Sequence, residues 1–404
     1  MPAGVPYASA PTQDWVNVPV LSEVLFHLLY SAGADTALWL AHAVACVAGL
    51  AITGVTARRA GASPGAAAVV TGIVLVGGAS TFAVARLQMW SIVLLPLLVA
   101  FLTSQHRRPD QRIWLLVPLL ALWSNLHGAA LVGYAVAGAY LLLERARVRP
   151  AESAAVILAS GAALFATPAL WRTVEYYLGV ATNESARMHV GLWARLSPDQ
   201  PLDIAFGLSV LVLLWLGRRY RPSLWEAVAM AGLVLLTASA ARNGVWLLLF
   251  VAPRVASVVR LPARRHTDVV ATAALLAALV IGGTAVVRGP AGEVPSSETI
   301  DAAVRLSHTC DLYADGQLGE HVAVAGGRVV IANPLDAYLP EDQRRYLEWL
   351  GSGDVSFLPP DVDAVFVSKG SRAADMLSDD ARFELVRSDA STEVYAAPSC
   401  APAH

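Results

Sequence analysis

Residues 113–143 read IWLLVPLLALWSNLHGAALVGYAVAGAYLLL, two apolar runs parted by the cluster Trp123, Ser124, Asn125, Leu126, His127 and Gly128. Arg107, Arg108 and Arg112 precede the stretch, and Arg145, Arg147 and Arg149 follow it. About 20 apolar residues cross a bilayer core, fewer where a segment enters a water-filled cavity. The stretch could be one broken or tilted element. The arginines closing both far ends favour two short spans that meet at a polar turn.

The whole chain extends that pattern. Of its 404 residues 56% are hydrophobic and 15% charged, with a mean hydropathy of +0.54, which excludes an ordinary soluble or disordered protein. The formal net charge of -2 argues against nucleic acid as a partner. The fold expected is mainly α, a polytopic α-helical membrane bundle of about ten spans with a small extracytoplasmic α/β C-terminal domain. The spans lie near 36–56, 65–84, 90–104, 113–124, 128–143, 151–170, 203–217, 225–241, 244–258 and 268–287. Alternate loops carry fifteen arginines in one set, among them Arg58, Arg107, Arg145, Arg218 and Arg254. The other set carries five: Arg86, Arg172, Arg187, Arg195 and Arg242. The positive-inside bias puts the first set in the cytoplasm, so both termini fall outside a multi-pass cell membrane protein.

Three divisions follow: an outer segment 1–35, a helical membrane domain 36–288 and an extracytoplasmic domain 289–404. Val18 to Tyr30 is apolar but carries Glu23 and His27, which suits an interfacial helix on the outer face, with a re-entrant helix as the alternative. Residues 1–16 lack the charged start and apolar run of a signal peptide, so a start upstream of Met1 is expected. Beyond 289, Val329–Ala332 and Ala364–Val367 read as buried strands, Glu341–Leu350 as a helix, and Phe383–Val386 with Glu393–Ala396 as a closing strand pair. Cys310 and Cys400 can form a disulfide if this domain is extracytoplasmic. Asp311, Asp315, Asp336 and Asp354 lack the spacing of a calcium or zinc site, and no metal or cofactor is expected.

Chemistry concentrates in the outer turns. Asn125 and His127 at a span end are costly unless paired or lining a wet cavity, and either hydrogen-bond a polar ligand or cap a helix end. Arg86 and Gln88 form another tight turn, where a guanidinium clamps a lipid phosphate or merely snorkels to the headgroups. Arg242 and Asn243 repeat the pattern, and an arginine against the charge bias calls for an anionic partner. The long loop 171–202 holds Glu175, Tyr176, Tyr177, Glu184, Arg187, His189, Trp193 and Arg195, carboxylates and rings that suit sugar recognition but form a weak signal alone. No Walker loop, dinucleotide fingerprint, HExxH or nucleophile elbow is present.

The order of these features resembles the GT-C superfamily of integral-membrane glycosyltransferases, near bacterial protein-mannosyltransferase-like members that use polyprenyl-phosphate sugars. The matching stretches are Trp15-Val16-Asn17 with Leu21 to Phe26, Arg86-Leu87-Gln88, Trp123 to Gly128, Thr167-Pro168 to Trp171, Trp193 to Pro198, Arg242-Asn243 and Asn333 to Tyr338. The resemblance implies an inverting transfer from a polyprenyl-phosphate-linked sugar in the lipid bilayer to an envelope glycan or protein acceptor. It implies substrate contacts at Asn17, Arg86, Gln88, Asn125, His127, Glu184, His189, Trp193, Arg242 and Asn243. Two departures touch the chemistry. The family's catalytic aspartate follows a first span that this chain lacks, leaving Asp14 or Glu23 as base, and the acid that often precedes the loop tryptophan is Leu192 here. A non-catalytic protein that binds lipid or an envelope partner is the alternative reading, and a secondary transporter is third.

Overall fold

The computed structural model describes residues 4–12, 16–260 and 295–400. Asp14, Trp15, Arg264, Arg265 and the expected span 268–287 lie outside the described residues. The chain divides into two compact units, one of residues 17–177 and 191–289, the other of 1–16, 178–190 and 290–404.

The first unit is helical. Its elements are α1 (Val20–Arg59), α2 (Pro64–Gly77), α3 (Ala79–Phe82), α4 (Met89–Arg107), α5 (Leu116–Leu126), α6 (Ala130–Leu143) and α7 (Pro150–Ala163). There follow α8 (Thr173–Thr182) and α9 (Glu184–Met188), part of which cluster with the second unit, then α10 (Pro201–Leu216), α11 (Leu224–Ser239) and α12 (Gly244–Val258). A helix therefore occupies each of the first nine expected spans. By length and composition α1 and α4 can cross a membrane, while α2, α10 and α11 are shorter apolar helices. Large apolar side chains stand exposed along them, Leu211 at 62%, Leu214 at 66% and Leu235 at 72%. An exposed apolar surface of that extent needs an apolar surrounding.

The expected interfacial helix and first span join in α1, where Gly33 and Ala34 leave helical geometry, Ala34 at φ 49°. Short turns between antiparallel helices then sort the loops onto two ends. The arginine-rich end is tied by buried polar groups. Arg145 donates to Gln105 Oε1 (3.0 Å) and the Asp110 carbonyl (2.7 Å) and pairs with Glu152 (2.9 Å), while Arg254 pairs with Glu226 (2.7 Å). Unpairing such a buried charge costs about 3–5 kcal/mol. These bonds fix α4, α6, α7, α11 and α12 at this end. The turns 83–88, 127–129 and 240–243 alternate with these loops along the chain.

The second unit is a mixed sheet with helices: α13 (Ser297–Ser307), β1 (Leu312–Ala314), α14 (Leu318–Val324), α15 (Pro340–Ser352), β2 (Ala364–Ser368), α16 (Arg372–Ser378), β3 (Glu384–Ser388) and β4 (Thr392–Ala396). The strand order is β1-β2-β4-β3, with β1 and β2 parallel and the other pairs antiparallel. The helix over 340–352 and the strands β2, β3 and β4 fall where the sequence placed them. Val329–Ala332 differs. It is buried but makes only an isolated bridge from Val329 to Ala8, beside bonds to the N-terminal segment and one from Val330 N to Leu312 O (2.8 Å). The regular strand beside β2 is instead β1. Cys310 and Cys400 form a disulfide with Cα atoms 6.1 Å apart.

Candidate active site

The turn 127–129 is built around one relay. The indole Nε1 of Trp123 donates to Ser91 Oγ (2.8 Å), and Ser91 Oγ lies 2.8 Å from His127 Nδ1. Ala129 N also donates to that Nδ1 (3.3 Å), so Nδ1 accepts and the hydroxyl proton of Ser91 points at it. The network thus assigns His127 as the neutral tautomer with its proton on Nε2. Sequence reading found Trp123 and His127. It missed Ser91, which lies on another helix and carries no local signal.

Arg242 stands in the turn between α11 and α12. Its guanidinium lies 4.1 Å above the Trp193 ring, and the backbone joins the two turns through Ala241 N to Ala194 O (2.9 Å). Its charge is felt by His127, and Tyr176 and a second guanidinium, Arg86, act on Arg242 in turn. A Cβ on Gly128 would sit 2.9 Å from the Tyr176 hydroxyl, which places that hydroxyl against the turn. Trp193 and Arg242, named from separate stretches, therefore meet, with His127, Arg86 and Tyr176 within electrostatic reach of Arg242.

Glu23 lies on the first turn of α1, where Asn17 Nδ2 donates to its Oε2 (2.6 Å). The neighbouring Ser22 accepts from Trp90 Nε1 (2.7 Å), and Trp90 precedes Ser91. This pair of bonds seats the Glu23 turn against the start of α4, one residue from the relay. Gln88 is the last residue before α4.

Other expected contacts are occupied with structure. Asn125 spends both amide hydrogens on carbonyls, Ala121 (2.8 Å) and Ala166 (2.7 Å), leaving Oδ1 for any ligand. Asn243 is buried and donates to Leu236 O (3.1 Å), closing the end of α11. Glu184 and His189 fall in the other unit. The Glu184 carboxylate is buried between Arg187 (2.9 Å) and Arg344 (3.3 Å), and His189 caps α9 with φ 54°. Among the described residues no group of three or more His, Cys, Asp or Glu is placed to hold a metal ion.

No family model matches the sequence, and no curated protein matches it. Among solved structures, five chains match. One is ArnT from Cupriavidus metallidurans, crystallised with undecaprenyl phosphate, at 14% identity and a TM-score of 0.50 over 96% of this chain and 89% of that one. The chain thus shares the fold of that protein.

Proposed function

We propose that the protein is a GT-C-type membrane glycosyltransferase that moves a sugar from a polyprenyl-phosphate donor to a glycan or protein acceptor of the cell envelope. The observation that carries the reading is the Arg242 guanidinium stacked 4.1 Å above Trp193 at one end of the helical unit, with Arg86 near enough for its charge to act on it. Two guanidinium groups gathered beside a neutral histidine favour an anion, and the planar fork of arginine fits a phosphate. The fold is shared with a protein crystallised with undecaprenyl phosphate.

In this reading the donor enters from the bilayer with its phosphate on Arg86 and Arg242. Trp193 holds the Arg242 plane, and the Nε2 proton of His127 and the Tyr176 hydroxyl orient donor or acceptor oxygens. A carboxylate, Glu23 or Asp14, takes the proton of the acceptor hydroxyl. That oxygen bonds to the anomeric carbon as the carbon–oxygen bond to phosphate breaks, inverting the centre. Polyprenyl phosphate leaves with its added charge stabilised by the two arginines. Asn17, hydrogen-bonded to Glu23, is a positioning residue. The reaction belongs to the outer face, opposite the arginine-rich loops.

A second reading, lipid binding without transfer, draws on the bond from Asn17 that occupies Oε2 of Glu23. Purified protein in nanodiscs, given polyprenyl-phosphate sugars and an envelope extract, separates the two. Transfer abolished in Arg86→Ala and Arg242→Ala supports the enzyme; lipid retention with no transfer by the unaltered protein supports binding alone. Transfer unchanged in both variants overturns the site.

A further inference from the structure

Away from the helical unit, the parallel strands β1 and β2 end side by side. After β1 the chain passes through α14 to Val329–Val330, which bonds the outer edge of β1; after β2 it passes through α16 to the hairpin on the opposite side. The two connections diverge, so the carboxyl ends of β1 and β2 form a topological switch point, where open α/β sheets characteristically bind ligands.

A cleft of about 80 Å³ lies there, lined by Asp315 from the end of β1, Trp349 to Gly353 from the end of α15, and Ser371 to Ala373 opening α16. Ser368 Oγ at the end of β2 donates to Asp315 Oδ2 (3.0 Å), fixing the carboxylate between the strand ends. Gly353 has φ 68°, and a Cβ there would meet Ala373 N at 2.6 Å, so glycine allows the walls of the cleft to close on each other. The buried indole Nε1 of Trp349 has no acceptor among the described residues, a donor this end of the sheet leaves unspent.

The charges balance. Asp315 faces the cleft, and the Arg372 cation acts on Asp354, whose carboxyl is held below the usual range mainly by hydrogen bonds from Ser356. The Ser352 and Ser371 hydroxyls are engaged with backbone, Ser352 Oγ donating to Glu348 O (2.7 Å) and Ser371 Oγ accepting from Ala374 N (3.2 Å), and a cleft with no net positive excess, an oriented carboxylate acceptor and a guanidinium does not select a phosphate. It suits vicinal hydroxyls, which donate to a carboxylate and accept from a guanidinium at once. The volume lies below the usual range of ligand sites, so the cleft takes one edge of a ligand rather than enclosing it. We infer that this cleft binds one neutral, hydroxyl-rich sugar unit. That the unit belongs to the acceptor glycan rests on the glycosyltransferase reading; the binding itself does not.

The test uses the full chain in nanodiscs and saturation-transfer NMR with the methyl glycosides of glucose, galactose, mannose, N-acetylglucosamine and arabinose. At least one glycoside receives saturation from the unaltered protein. Asp315→Asn weakens its binding at least fivefold, and so does Gly351→Phe, whose new side chain starts from open space and fills the cleft. Arg372→Ala, at an exposed position, gives the same direction if either other variant misfolds. Arg242→Ala, which removes the proposed phosphate contact in the helical unit, leaves glycoside binding unchanged, so the two readings fail separately. Saturation of none of the glycosides, equal binding by all the cleft variants, or displacement of the bound glycoside by inorganic phosphate overturns the inference.

Discussion

Replacing Arg242 by alanine is the sharpest perturbation of the proposed donor site. The guanidinium rests 4.1 Å above Trp193 before any ligand arrives. That stacking, worth about 2 kcal/mol where desolvated, is present with and without donor, so it organises the arginine more than it adds to affinity. What binding gains is a charge-assisted bond to phosphate, about 1.5–3 kcal/mol. At 1.4 kcal/mol per decade, Arg242→Ala weakens undecaprenyl phosphate binding about 10- to 150-fold. Trp193→Ala leaves the charge but frees the side chain, and ordering one such side chain costs about 0.5–1.5 kcal/mol, a loss of about 2- to 12-fold. Arg242→Lys falls between them, keeping the charge and losing the planar fork. Native mass spectrometry of detergent-solubilised protein titrated with undecaprenyl phosphate reads all three. Glu175→Ala is the control, an exposed carboxylate whose partner is Arg172 (3.0 Å), and leaves the affinity unchanged. An Arg242→Ala variant within twofold of the unaltered protein, or a larger loss from Trp193→Ala than from Arg242→Ala, refutes the assignment.

Other outcomes follow from the same contacts. Ser91→Ala strands the buried Trp123 Nε1–H and costs about 1–3 kcal/mol, read as a lower melting temperature, while Ser91→Thr retains most of it. Burial acts to raise the Asp389 carboxyl, but hydrogen bonds from Ser296, Ser391, Thr299 and Thr392 win and hold it well below the usual range. Its folded value is depressed, so its stabilisation is complete above the unfolded value near 4 and is lost as pH falls towards the folded value. Melting curves between pH 6 and 2 show a steeper acid loss in the unaltered protein than in Asp389→Asn; parallel curves would count against this network. Reduction, or the double change Cys310→Ala with Cys400→Ala, lowers the stability of the terminal domain by about 2–5 kcal/mol. Thiol labelling of both cysteines in unreduced protein would contradict the pairing.

The apolar runs, the arginine-marked loops and the β3–β4 hairpin were legible in the sequence because each is a local pattern: run length, charge and alternation act over fewer than about 25 residues. Two failures share one cause. β1 has three residues between Asp311 and Asp315, too few to show alternation, and only pairing with Ala364–Phe366 makes it a strand. Val329–Ala332 has the apolar content of a strand, but its backbone is divided between the N-terminal segment and Leu312. Ser296 caps α13 by accepting from Thr299 N (3.2 Å), a start signal outweighed by the polar composition around it.

The candidate site divides the same way. Its residue types and their placement at the ends of apolar runs were set by the sequence, because a polar side chain or an arginine there is costly to leave unmatched whatever it packs against. Which of those residues act together was decided by tertiary structure. Glu184 and Asn243 are consumed by an ion pair and a helix end, Asn125 keeps only its carbonyl oxygen, and Tyr176 and Ser91 enter from helices with no motif of their own. Local pattern fixes where a helix begins and ends, but a hydrogen bond or ring contact between residues far apart in the chain depends on how the helices pack side by side.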